Sequence, residues 1–88
     1  MTEVEYRICK VIKLYNEEHK IDPCIKDIAK VIHYSNENTR YHLKKLEKLG
    51  IVKEENRKYS LLVNNMEWIW VELKKKRLIK TYLKQTLN

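Results

Sequence analysis

Ser35-Asn36-Glu37-Asn38-Thr39-Arg40-Tyr41-His42-Leu43-Lys44-Lys45-Leu46-Glu47-Lys48-Leu49-Gly50-Ile51-Val52 decides the fold. Ser35 offers a side-chain oxygen to the free N–H groups at the start of a helix. Thr39, Leu43, Leu46 and Leu49 then recur at three- and four-residue steps, which gives the helix one inward face. Gly50 follows at the place where a left-handed C-terminal residue is expected. Ile51-Val52-Lys53-Glu54 reads as a short strand, Asn56-Arg57 as a turn and Lys58–Leu62 as a returning strand.

Upstream, Thr2 and Glu5 have the spacing of a capping box. Val4, Ile8, Val11, Ile12 and Tyr15 form one apolar stripe, which predicts a helix over roughly residues 3–19. Asp22-Pro23 ends it. Ile25, Ile28, Ala29 and Ile32 predict a second, short helix over 25–32, with Lys26, Asp27 and Lys30 toward water. His33-Tyr34 leaves only a tight connection to Ser35. Downstream, Asn64 or Asn65 caps a last predicted helix over 66–86.

The run Asp27-Ile28-Ala29-Lys30-Val31-Ile32, followed by Ser35–Val52, resembles the winged helix-turn-helix transcription regulators of bacteria and archaea. The small winged-helix proteins of archaeal viruses and plasmids fall within the same resemblance. It covers about residues 24–62 and is most specific from Ser35 to Val52. Two positions depart from the pattern. His33 stands where the family often has Gly, which implies a different turn. Thr39 stands where Val is usual, and its hydroxyl can bond a carbonyl one turn back. The resemblance implies a mainly α fold with a small β-hairpin wing, in the order helix-helix-helix-strand-strand-helix, as one domain over 1–88. It also implies a third helix that reads the major groove and a wing that follows the backbone. Such folds bind proteins and RNA as well, so function has to be argued from exposed side chains.

Charge favours DNA. Nineteen Lys and Arg against twelve acids give a formal charge of +7 in 88 residues, the electrostatic footprint of a partner to polyanions. With Thr39, Leu43 and Leu46 inward, Glu37, Arg40, Tyr41, Lys44 and Lys48 point outward and Lys45 lies on the flank. Asn36 and Asn38 occupy the first turn, which usually enters the groove deepest. Asn suits adenine, Arg suits guanine, and Glu37 can accept from a cytosine amino group or complement the helix dipole. Tyr41 suits a phosphate or a thymine methyl. Lys44, Lys45 and Lys48 suit phosphates, which set register without reading sequence. Arg57 and Lys58 at the hairpin tip suit the minor groove and a phosphate. Lys26 is a weaker phosphate candidate.

The last predicted helix is apolar beyond one core stripe. Trp68, Ile69, Leu73, Leu78, Ile79, Tyr82 and Leu83 are expected to form a homodimer interface, which suits palindromic double-stranded DNA. The basic run Lys74–Arg77 reads as a solvated collar. The alternative to a dimeric, sequence-specific DNA-binding regulator is a winged-helix protein–protein interaction module whose charge serves solubility. Left-handed DNA binding by a similar fold is set aside. Arg40 and Lys44 stand where such domains carry Asn and Tyr, and the hairpin has neither Pro nor Trp.

Other classes find little support. His19, His33 and His42 have no ligand spacing with Cys9 and Cys24, so no metal or cofactor is expected. No catalytic triad, phosphate loop or paired-carboxylate motif occurs, no enzymatic activity is expected, and no small-molecule ligand is evident. Cys9 and Cys24 read as two free, partly buried thiols, with a disulfide as the alternative in a hyperthermophile. No apolar run reaches about 18 residues, and the start MTEVEY lacks a secretory pattern. The expected location is the cytoplasm, that of the host for a viral source.

Overall fold

The computed structural model describes residues 2–62. Helix α1 spans Glu3–His19, α2 Ile25–Ile32 and α3 Asn36–Lys48. Strands β1, Val52–Glu55, and β2, Lys58–Leu61, complete the order. The expected helix over 66–86, its dimer residues Trp68, Ile69, Leu73, Leu78, Ile79, Tyr82 and Leu83, and the Lys74–Arg77 run lie outside the described residues.

Each helix begins and ends for a local reason. Thr2 and Glu5 form the reciprocal box that their spacing implies. The Glu5 N–H donates to Thr2 Oγ1 at 3.2 Å, and the Thr2 N–H donates to Glu5 Oε1 at 3.3 Å. Cys24 caps α2, its N–H donating to Asp27 Oδ2 at 3.1 Å and its thiol to the same oxygen at 3.2 Å. Asp27 is therefore half-buried and engaged rather than facing water as expected, and the Cys24 N–H holds its carboxyl below the usual range. Ser35 Oγ accepts the Asn38 N–H at 3.1 Å. The Thr39 hydroxyl donates to Ser35 O at 2.8 Å, so the buried Thr reaches one turn back as anticipated.

The connection between α2 and α3 passes through a residue in the left-handed region, which Gly enters at no steric cost. His33 takes φ 59° itself. Histidine is among the residues that enter the left-handed region most readily.

The end of α3 corrects the expected inward face. Gly50 has φ 74°. Its N–H bonds Glu47 O at 3.0 Å, and the Ile51 N–H bonds Leu46 O at 3.0 Å, the paired bonds of a Schellman stop. The helix closes at Lys48, and Leu49 is 54% exposed. The reversal at Gly50 swings the chain round, and Ile51 enters the core in place of Leu49. Ile51 also precedes the strand rather than opening it. Leu62 lies just past β2, although its N–H still bonds Ile51 O at 2.8 Å.

The hairpin pairs Val52 with Leu61, Lys53 with Ser60, Glu54 with Tyr59 and Glu55 with Lys58. Asn56 and Arg57 both have positive φ, 53° and 63°, the signature of a two-residue loop whose twist matches its strands. A bridge from Cys24 to Lys58 and a bond from the Tyr59 N–H to Pro23 O at 2.9 Å tie the hairpin to the start of α2. One core joins all elements: Ile8, Cys9 and Ile12 of α1, Ile28 and Ile32 of α2, Leu43 and Leu46 of α3, then Ile51, Val52 and Tyr59.

Candidate nucleic-acid interface

Helix α3 buries Thr39, Leu43 and Leu46, which leaves two distinct flanks. At about 100° per residue, Asn36, Arg40 and Glu47 lie toward the hairpin. Glu37, Tyr41, Lys44 and Lys48 lie outermost, and Asn38 and Lys45 lie on the far side. All of them are exposed except Glu47, which is half-buried. Asn36 and Asn38, paired in expectation as first-turn groups, thus sit on opposite flanks. The helical angle alone already separates them.

The hairpin-side flank forms one wall of a groove. Asn36, Arg40, Lys44 and Glu47 line it from α3. Cys24, Ile25 and Lys26 line it from the start of α2, and Glu54, Arg57 and Tyr59 from the hairpin. Four cations, Lys26, Arg40, Lys44 and Arg57, therefore share one concave surface with two acids. The tie between β2 and Pro23-Cys24 brings Lys26 and Arg57 to the same place. Lys58 lies at the exposed tip beside them. Tyr59 packs its ring into the core, and its hydroxyl donates to Glu54 Oε2 at 3.4 Å. Burial and the Glu54 and Glu47 carboxylates push the Tyr59 hydroxyl up to about 12, with Arg40 pulling the other way.

The opposite flank contains the contact that sequence reasoning missed. His42 Nδ1 lies 2.7 Å from Glu5 Oε2, joining α3 to the first turn of α1 across 37 positions of sequence. Glu5 is 2% exposed, and its Oε2 also accepts from the Thr2 hydroxyl at 3.0 Å. Burial alone would raise the Glu5 pKa, but the bonds from His42 and Thr2 outweigh it and hold the carboxyl below 4.5. Tyr34 and Tyr41 meet the His42 ring edge-on at centroid distances of 6.2 and 5.3 Å. Lys45 Nζ sits 4.5 Å over the Tyr41 ring, while Tyr41 itself stays 58% exposed. The capping-box spacing marked Glu5 for a local task. No sequence signal linked it to His42.

Cys9 is buried, and burial with the nearby Glu5 charge pushes its thiol up to about 12. Both cysteines are free. No described helix is long and apolar enough to cross a membrane, and among the described residues no group of three or more His, Cys, Asp or Glu is placed to hold a metal.

The arrangement suits a polyanion with readable edges. Cations at the rim can meet phosphates, while Asn36 and Arg40 present amide and guanidinium groups beside them. Residues 20–54, less than half of the chain, match the family described as bacterial regulatory protein, arsR family. No curated protein and no solved structure matches the chain.

Proposed function

We propose, from the match of residues 20–54 to the arsR-family bacterial regulatory proteins and from the groove between α3 and the hairpin, that the protein is a sequence-specific regulator of transcription acting on double-stranded DNA in the cytoplasm. Helix α3 enters the major groove, and the hairpin is the wing. Asn36 and Arg40 read base edges along the groove wall, and Asn38 reads from the other side of the first turn. Glu37 and Tyr41, on the outermost line, meet the groove floor. Lys44, Lys45, Lys48 and Lys58 anchor phosphates, and Arg57 reaches the backbone or the minor groove. The observation that carries this reading is the shared groove of Lys26, Asn36, Arg40, Lys44 and Arg57. These five groups come from three separate elements and converge without any catalytic constellation.

The protein acts as a homodimer through residues 66–86. The apolar pattern of Trp68, Ile69, Leu73, Leu78, Ile79, Tyr82 and Leu83 exceeds what one small domain covers, and two α3 helices would meet half-sites about one turn apart. Selection of bound sites from random duplex DNA with the full chain tests both parts. A palindromic enriched site is the expected result. An enriched site without symmetry removes the dimer, and no enrichment removes sequence reading and leaves a protein-binding module.

A further inference from the structure

The groove holds two carboxylates to which DNA binding assigns no task. Glu47 lies two turns after Arg40 on the same side of α3, and Glu54 lies across from it on β1. In the hairpin register Glu54 is paired with Tyr59, on the face that turns toward α3, and the buried Tyr59 hydroxyl donates to it. Glu54 is thus an exposed acid that accepts one long hydrogen bond, at 3.4 Å, from a buried hydroxyl. The Tyr59 hydroxyl feels Glu54, Glu47 and Arg40 together, so the four groups converge. The ion pairs among the described residues are Glu5–His42 and Lys53–Glu55. Glu47, Glu54 and Arg40 thus line one groove with no ion pair among them in the described residues. A carboxylate at such a place favours a guanidinium and opposes a phosphate oxygen.

We propose that Glu54, aided by Glu47, is a specificity-determining residue that shields Arg40 from the phosphates of unmatched duplex, so that the guanidinium is released only where a base edge takes it over. This rests on the groove being the DNA interface. Non-specific affinity comes almost wholly from cation–phosphate attraction. An acid inside the groove lowers that background, while the matched site regains the loss through the Arg40–base contact.

The test compares Glu54→Gln with Glu55→Gln in the full chain, using the selected duplex and a scrambled one. Both variants lose one negative charge, but Glu55 alternates to the other face of the hairpin and pairs with Lys53 at 2.9 Å. Glu54→Gln is expected to raise affinity for scrambled duplex about five-fold and for the selected duplex less than two-fold. Glu55→Gln is expected to change both equally. In an Arg40→Ala background the effect of Glu54→Gln on scrambled duplex should fall below about two-fold. Equal gains on both duplexes, loss of affinity for the selected duplex alone, or an undiminished effect without Arg40 would each overturn the proposal. Thermal unfolding of each variant separates these results from a folding defect, which exposed Glu54 is not expected to produce. A wild-type protein that does not distinguish the duplexes overturns the DNA reading itself. A wild-type preference that Glu54→Gln leaves intact overturns only the role of Glu54.

Discussion

The two flanks of α3 differ in how their polar groups are satisfied. On the α1 side, a carboxylate removed from water meets an imidazole at 2.7 Å, and two tyrosine rings close around the contact. On the hairpin side, Asn36, Arg40 and Lys44 are exposed and share their groove with Glu47 and Glu54. A buried polar pair is costly to break because each partner left alone keeps its desolvation penalty. Exposed charges exchange partners at little cost. Under the proposed function the difference is a division of labour: the α1-side contact adds stability to the helix, and the exposed hairpin-side groups give up water and counter-ions to DNA.

The comparison can be broken most severely at what the flanks share. Leu43 is fully buried beneath both, and Leu43→Ala is expected to cost about 2–5 kcal/mol of stability. Chemical denaturation measures it, and DNA binding and the Glu5–His42 contact should be lost together.

Glu5→Gln separates the flanks. It is expected to cost about 1.5–3 kcal/mol of stability, the worth of hydrogen bonds to a charged group, with DNA affinity under conditions of full folding nearly unchanged. The pH dependence sharpens this. The carboxyl of Glu5 is held below its ordinary 4.5 in the folded state. Its contribution is therefore complete above that pH and is lost as pH falls through the lower folded value. Wild-type stability should drop more steeply than that of Glu5→Gln on acidification below pH 4.5. Parallel curves in denaturation at several pH values would remove the α1-side lock.

On the other flank the order reverses. Arg40→Ala should leave stability within about 0.5 kcal/mol and cost about 1–3 kcal/mol of specific binding, with relaxed choice at one base pair. Lys44→Ala should weaken all duplexes alike and lower the salt slope by about one unit. A small effect, on stability alone, is expected at Gly50, which lies outside both flanks. A Cβ there meets nothing within 4 Å, but φ is +74°. Gly50→Ala should therefore cost about 1 kcal/mol through backbone conformation alone.

Much of this architecture is legible from local pattern. Thr2 and Glu5 announce the start of α1, Ile25 to Ile32 bound α2, and Ser35 and Gly50 bracket α3 because caps are chosen by neighbouring residues. Leu49 was misplaced because periodicity extrapolates inward faces past the point where Gly50 turns the chain. The hairpin-side flank was legible as exposed residue types on a helix of known phase. Its acids were not, because Glu54 gains meaning only from the register that sets it beside Tyr59. Least legible was Glu5–His42. A contact across 37 positions is a product of tertiary packing, and no capping rule or periodicity carries it.

The most direct test of the central claim is a competition titration of the selected duplex against its scrambled counterpart, with wild type and Arg40→Ala side by side. The account predicts a wild-type preference of at least roughly a thousand-fold, reduced about ten-fold or more by Arg40→Ala while affinity for scrambled duplex changes little. Equal wild-type affinities for the two duplexes, or a preference that Arg40→Ala leaves undiminished, would contradict it.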